Sequence, residues 1–588
     1  MKFTMKKMVD WYDPRQLFET ARQTAISEII GEYADPRLRT TDAGGVKFFD
    51  YSFKLRETKY DYETIESETR EEIWIDYVAD IGDGWNPTYA VALCLAQPHI
   101  EVEGVEKNLE RGEILFFGGD AVYPAANAEG YESRLVSPYR MAFKAGEASR
   151  AAALPDADGL KQKPHIFALP GNHDWYDSLT AFKDLFCSHI FNNRRFADSW
   201  HTRQKRSYFA LKLPHKWWLL AVDMQLSRNI DVSQLQYFES VIEKMETGSR
   251  VILCFPEPFW VKAIKYQKVT DEFEEKEKSV ERLEWLLREN KIEVNVYIAG
   301  DLHHYRRFED ENRVQKITAG GGGAFLHPTH DYDFRHNWND KDKGFSLRAD
   351  YPSFEESRRL DWKNFLFIWN NKTFGIFTAL IYAMVGWLIF GLIDYRFSWE
   401  AVVITSNRVI AEPSAVLILT AMFGGVVFFT DSNDRWFKWR AGIAHGFAHL
   451  AAIIFLGRMV FLLTSYLDAQ FVLKDKPYWD LLWFVCAITI AALGGYVLGS
   501  IIMGVYLFVS LHFFGRHDNE AFSALKVQDY KSFLRLHIDT EGRLTIYPLK
   551  IAKVPRAWMP ITSDEKQIKY FKPETDIKPE LIEKPVVV

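Results

Sequence analysis

The sequence predicts an α/β domain joined to a helical membrane domain, on three observations. From Ile73 to about Phe325, short apolar runs alternate with helical patterns, the rhythm of a layered α/β fold. After Asp361 come four long apolar runs, Thr373–Phe390, Ala415–Phe429, Ala441–Leu467 and Leu481–Phe514. Each is near or above the length that crosses a bilayer, the second once it is extended back to Pro413. Composition agrees: aromatics at 15% beside 26% charged residues are what a soluble domain averaged with a membrane domain produces. At 588 residues the chain is too long for one ordinary domain.

In chain order, Pro14 to Tyr33 carries a helical pattern with Leu17, Ala21, Ala25, Ile29 and Ile30 on one face, and a charged segment, Lys54 to Glu72, follows. Residues 1–70 therefore read as a helical appendage. In the α/β domain, residues 71–360, helices are predicted at Pro87–Ala96, Tyr139–Ala153, Ser178–Phe186, Val232–Glu246 and Thr270–Asn290. Strands are predicted near Tyr208–Leu213, Trp217–Asp223, Val251–Phe255, Val294–Ala299 and Val314–Ala319. A hairpin at Pro214–Lys216 makes the sheet mixed rather than purely parallel. The charged Asp271–Lys278 run reads as the solvated face of its helix.

Residues 370–515 make four or five membrane helices, depending on whether Gly494-Gly495 divides the last run. The loop Asp431–Arg440 holds Arg435, Lys438 and Arg440, the densest basic cluster between these runs, and is expected to face the cytoplasm. An even number of spans then places the α/β domain and residues 516–588, a small β-rich tail, on that side of a multi-pass membrane protein. Within the third run, His445, His449 and Arg458 are ionisable at membrane depth. A functional path and plain interhelical hydrogen bonding are both open for them.

Several function classes drop out. A net charge of −7 gives no electrostatic footprint for nucleic acid. Four scattered cysteines, with no C-x-x-C, point to neither a disulfide framework nor a zinc ribbon and fit a reducing compartment. Met1 to Phe18 has no apolar core of a signal peptide.

The chemistry gathers where strands run into loops. Leu169-Pro170-Gly171-Asn172-His173-Asp174 places an amide, an imidazole and a carboxylate on one tight turn after the apolar run His165 to Leu169. Three more loops are of the same kind. Asp80-Ile81-Gly82 follows Ile73 to Ala79, Gly119-Asp120-Ala121-Val122-Tyr123 follows Ile114 to Phe117, and Gly300-Asp301-Leu302-His303-His304-Tyr305 follows Val294 to Ala299. Open α/β folds collect ligands at such strand ends. Gly320-Gly321-Gly322-Gly323 lacks the Lys-Ser/Thr of a P-loop and reads as a close backbone turn.

In order and spacing, these blocks over about residues 70–330 resemble the calcineurin-like metallophosphoesterase superfamily, whose signature is D-x-H or D-x-G, G-D-x-x, G-N-H-[DE], an isolated His, and G-H-x-H. The resemblance implies a β-sandwich flanked by helices and two metal ions, between which Asp120 takes the bridging position. Asp80 and His303 fall to the first metal. Gly82 replaces the usual His, as in the purple acid phosphatase branch, where the Tyr of G-D-x-x-Y takes its place; Tyr123 matches it, with packing against the sheet as the alternative. A phenolate favours Fe(III) over Zn. For the second metal Asn172 is in place, but the isolated His would fall near Pro256, where Glu257 is the nearest substitute, and Asp301 stands for the first His of G-H-x-H. Two carboxylates for two imidazoles make a harder site, suited to Mn, Mg or Fe(II), or a site that binds weakly. His304 is a ligand or a supporting group, and His327 or His330 has the option of reaching in after the glycine run. Asp83 reads as a cap for the next helix.

The resemblance further implies that His173 protonates the leaving oxygen, that Asp174 orients the imidazole, and that metal-bound hydroxide attacks in line. The expectation is a membrane-anchored phosphoesterase using Fe and/or Mn, with Mg or Zn as alternatives, on a phosphoester that its location suggests is lipid-derived. The rivals are a non-catalytic regulatory or sensing module of the same fold, and a gated transporter with Arg458 and His449 lining the path.

Overall fold

The computed structural model of the chain describes residues 4–33, 48–57, 62–153, 164–187, 195–197, 200–225, 229–261, 271–330, 344–396, 398–430, 435–562 and 567–588. The chain divides into two compact units. One comprises Met1–Val9, Glu19–Ser357 and Lys526–Val588, the other Asp10–Phe18 and Arg358–Leu525.

Two mixed sheets build the first unit. The eight-stranded sheet runs, in spatial order, Phe49–Asp50, Phe209–Lys212, Trp217–Ala221, Arg250–Phe255, Glu293–Ala299, Gln315–Ala319, Tyr305–Glu309 and Ser346–Tyr351. The Phe209–Lys212 and Trp217–Ala221 strands form the expected antiparallel hairpin across Pro214–Lys216. The nine-stranded sheet centres on the parallel strands Ile73–Val78, Ile114–Phe117 and His165–Ala168.

Alternation along the strands sets the layers. Ile73, Ile75 and Tyr77 pack with Ile252, Cys254 and Ile298 in one buried cluster between the sheets. Trp74 and Val78 face away from it toward helices Trp85–Ala96 and Ser137–Ala153. Val251 and Leu253 face outward on the other side, toward helices Val232–Ile242 and Asp271–Glu289. The result is a helix–sheet–sheet–helix sandwich. The sequence placed that last helix at Thr270–Asn290, whose first residue lies outside the described ones.

Two segments expected as appendages belong to the sheets instead. Phe49–Asp50 pairs with Leu211–Lys212, and a hairpin, Phe53–Glu57 with Tyr62–Thr69, follows it, so residues 1–70 are not simply helical. Lys531–Ile538 pairs antiparallel with Ile73–Val78, and Leu544–Ile551 pairs with Lys531–Ile538. Leu534, Leu536 and Ile546 join the apolar cluster between the sheets, and a buried ion pair adds to the docking. Asp76 sits mid-strand and buried, and the Arg535 guanidinium meets it with Nε–Oδ1 2.6 Å and Nη2–Oδ2 3.0 Å. Either charge left alone there costs about 3–5 kcal/mol.

In the second unit, Lys372–Ile389, Trp436–Phe471 and Trp479–Phe514 are long and apolar enough to cross a membrane. Trp399–Ile410 and Pro413–Phe429 are bent by 99° and make a fourth span only if taken as one broken span. Among the described residues a fifth does not arise, because Trp479–Phe514 is one 36-residue helix that continues through Gly494-Gly495. Those glycines admit neighbours: a Cβ on Gly494 would lie 2.2 Å from Leu456 Cδ2, and on Gly495 2.4 Å from Tyr382 Cβ. His449 Nδ1 lies 2.6 Å from the Tyr382 hydroxyl of another helix, the interhelical hydrogen bonding that was one of the two readings, and its Nε2 lies 3.2 Å from His445 Nε2 one turn back on its own helix. Residues 431–434 of the basic loop used to orient the chain lie outside the described residues.

Candidate active site

The predicted site residues sit at the carboxyl ends of strands in both sheets of the first unit. Asp80, Asp120 and Asn172–Asp174 follow three adjacent strands of one sheet, and Glu257, Asp301 and His303 follow two adjacent strands of the other. Three of the carboxylates occupy left-handed backbone: Asp80 at φ +59°, Asp120 at φ +46° and Asp301 at φ +69°. Such residues cost on the order of 1 kcal/mol each and persist where surrounding bonds over-determine them. Here Asp80 N–H donates to Gly119 O at 3.0 Å, Ile81 N–H to Asp120 O at 2.9 Å, and Ala324 N–H to Asp80 O at 2.9 Å. The glycine run behaves as the close turn its sequence implied, with Gly322 N–H donating to Ala79 O and Gly321 O accepting from Ser532 N–H, both at 2.9 Å.

Four groups converge on one point. The buried Tyr123 hydroxyl lies 3.0 Å from Asp80 Oδ1, 3.2 Å from Asp120 Oδ2 and 2.9 Å from His303 Nε2. His303 Nδ1 donates to Phe325 O at 2.7 Å, which leaves Nε2 as an acceptor. Three acceptors and a phenol oxygen thus share one phenolic proton. Burial, then the charges of Asp120 and Asp301, raise the Asp80 carboxyl well above the usual range. Burial, then Asp120 and Asp80, do the same to the Tyr123 phenol. Burial holds the His303 imidazole well below its ordinary value, so it stays neutral. A cation at the convergence point would stabilise both the carboxylate and the phenolate, and the neutral imidazole would offer it a lone pair, so the donor set fits a metal. Among the described residues no three His, Cys, Asp or Glu side chains make a metal cage by themselves; Asp80, Asp120 and His303 meet here around the Tyr123 phenol.

Asp120 divides its oxygens, Oδ2 toward Tyr123 and Oδ1 accepting from His173 N–H at 2.9 Å. The second contact needs Gly171, where a Cβ would lie 2.1 Å from Asp120 Oδ1. Asn172 Nδ2 donates to the Tyr176 hydroxyl at 3.0 Å, while its Oδ1 is buried with no hydrogen-bond partner, an acceptor that also fits a cation. His173 Nδ1 donates to Pro124 O at 2.6 Å, and its ring centroid lies 4.4 Å from that of Tyr123. Burial pulls the His173 imidazole down to about 4.

Asp174 does not orient that imidazole. Its Oδ2 accepts from Gly171 N–H at 2.8 Å and Ala121 N–H at 3.1 Å, and its Oδ1 from the Tyr131 hydroxyl, so it ties two site loops together. Burial, then the charge of Asp120, pushes it up to about 8. The Pro124 carbonyl holds His173 instead. The sequence carries no signal for a backbone carbonyl in that role, nor for Phe325 O behind His303 or Tyr131 behind Asp174.

The remaining candidates separate. Asp301 N–H donates to Asp80 Oδ2 at 3.0 Å, and the charge of Asp301 is felt by Asp80, Tyr123 and His173. Glu257 instead accepts from Lys276 Nζ at 2.8 Å, both side chains nearly buried, so its carboxylate is committed to an ion pair. His327 stacks on His303 with centroids 3.9 Å apart, while His330 Nδ1 lies 2.8 Å from Ser357 Oγ. Asp83 is no helix cap: it accepts from Val9 N–H at 2.7 Å and Phe325 N–H at 3.0 Å.

No family model matches the chain, and no curated protein matches it. Solved structures similar to it include one described as GAP50, the anchor in the inner membrane complex of Plasmodium, at 13% identity and TM-score 0.28, covering 44% of this chain and 74% of that one. Another, a structure of PhoD, has 10% identity and TM-score 0.27, covering 47% of this chain and 62% of that one. A dimetal phosphatase from Danio rerio has 12% identity and TM-score 0.23, covering 42% and 88%.

Proposed function

We propose that the first unit is a metal-dependent phosphoesterase of the calcineurin-like kind, anchored to a membrane by the apolar helices of the second. The observation that carries this reading is the sharing of one phenolic proton among Asp80, Asp120, His303 and Tyr123. These four would hold one cation. A second cation would fall to Asp120, through Oδ1, and to the buried Asn172 Oδ1, with Asp301 as a further carboxylate. The set is rich in hard oxygen donors, which suits iron or manganese. When bound, such an ion polarises a phosphoryl oxygen and makes a water acidic enough to attack.

The chain's own residues do the rest. His173 Nδ1 is tied to the Pro124 carbonyl, which fixes the ring and leaves Nε2 to face the ester. Burial keeps the imidazole neutral above about pH 4. A phosphate dianion beside it favours the imidazolium, so substrate itself loads the proton that Nε2 hands to the leaving oxygen. Asp174 keeps the two loops in register by accepting from Gly171 and Ala121.

The test is elemental analysis of the purified full chain, with turnover of an aryl phosphate monoester and diester on the same sample. Bound metal is expected, with turnover lost on chelation and restored by metal. His173→Ala is expected to lower kcat by about 10²–10⁴ while metal content holds. A chain that takes up no metal and turns over neither ester after reconstitution overturns the reading.

A further inference from the structure

A second site lies in the helical unit. A cavity of about 660 Å³ opens at the end of Lys372–Ile389, beside the middle of Arg435–Phe471 and the first turns of Trp479–Phe514. Its wall is apolar, with Phe390, Val460 and Trp483, yet Arg396, Arg408 and Arg458 also line it, against the single carboxylate of Asp394. The arginines are held in place. Arg458 donates to Tyr395 O at 2.6 Å and lies 5.3 Å from the Phe461 ring centroid. Arg396 meets Asp394 with Nε–Oδ1 3.0 Å and Nη2–Oδ2 2.7 Å. His449, the other half of the path a transporter would need, is not part of this lining.

We propose that this cavity binds the headgroup of an anionic phospholipid. Three guanidiniums to one carboxylate call for an anion, and guanidinium matches a phosphate with paired hydrogen bonds. The apolar part of the lining calls for more than a free anion, since the exposed Phe461 and the half-buried Trp483 present surface that hydrocarbon covers without loss. The surrounding helices show Phe455, Leu462, Leu481 and Phe484 as exposed apolar side chains, a surface suited to acyl chains. Basic pockets between membrane helices take lipid headgroups by this combination. The site is separate from the phosphoesterase chemistry and rests only on the membrane part of that reading.

The test is native mass spectrometry of the detergent-purified full chain, titrated with phosphatidylglycerol, phosphatidylcholine or inorganic phosphate. Phosphatidylglycerol is expected to be retained selectively, and inorganic phosphate not to displace it at equal concentration. Arg408→Gln with Arg458→Gln is expected to weaken retention roughly thirtyfold, and the Lys pair at the same positions to keep most of it. Equal retention of the two lipids, or unchanged retention in a monodisperse Gln pair, overturns the proposal. So does inorganic phosphate binding as tightly as the lipid, which makes the cavity a free-anion site. An alkaline carbonate wash of membranes separates the premises: release of the chain refutes membrane embedding itself, whereas a retained chain without lipid selectivity refutes this site alone.

Discussion

The two corners of the candidate site are built from similar residues and differ in what their carboxylates do. At the first, Asp80 and Asp120 point at the Tyr123 hydroxyl and His303 Nε2 closes the set, with backbone carbonyls and amides fixing each group from behind. At the second, Glu257 turns to Lys276 at 2.8 Å, and Asn172 Oδ1 is left as a buried acceptor. Each corner has a buried lysine near it. Lys276 takes the carboxylate, whereas Lys531 donates to the Ala324 carbonyl at 2.6 Å and leaves the carboxylates to one another. What separates the corners is less their acids than where the nearest lysine is tied.

The largest effect that bears on this contrast comes from Asp120, the one side chain that faces both corners. Asp120→Ala is expected to remove metal from both and to cost at least about a thousandfold in turnover, the scale of several kcal/mol of lost charge stabilisation. Elemental analysis and kinetics on one preparation check it. Retention of full metal by a folded variant would refute the bridging position.

Glu257 separates the corners. Glu257→Gln is expected to leave metal content unchanged and turnover within about threefold, while lowering stability by about 1–3 kcal/mol, because Lys276 loses its charged acceptor. Chemical denaturation and metal analysis together decide it. Loss of one metal equivalent would instead return Glu257 to the ligand set and make the Lys276 pair a feature of the metal-free chain.

The same contrast explains what the sequence could show. Strand-end loops with Gly and a metal-capable residue are local patterns, so the meeting of Asp80, Asp120, Tyr123 and His303 could be anticipated, as could the hairpin and the helix–strand alternation. Asp174 was misread because its adjacency to His173 says nothing of Gly171, Ala121 and Tyr131, the groups that claim its oxygens. The pairing of Glu257 was out of reach of the sequence because Lys276 is 19 residues away on another element. The C-terminal strands escaped for the same reason at longer range: Asp76 in an apolar run signals a buried partner, but nothing local names Arg535. The glycine pair in the last apolar run was ambiguous, since glycine both breaks helices and lets them pack closely.

The smallest effect tests the lysine that the first corner keeps away from its acids. Burial lowers Lys531 from the ordinary lysine value of 10.5 to about 8, although Asp83, Asp529 and Asp80 favour its charge. The sign follows from proton counting. Below pH 8 folded and unfolded chains both hold the proton, and the fold bears the full cost of the buried charge. Between about 8 and 10.5 the folded state has released it and the unfolded state has not, so unfolding takes up a proton and stability rises with pH. The gain is on the order of 1–3 kcal/mol across that window. Denaturation of the metal-free chain at pH 7.5, 9 and 10.5 reads it as a difference from Lys531→Met, which lacks the proton and is expected to show a flatter slope. Parallel slopes would mean that Lys531 keeps its charge in the fold. The first corner would then hold a resident cation of its own, and metal would have to compete with it as Lys276 competes for Glu257.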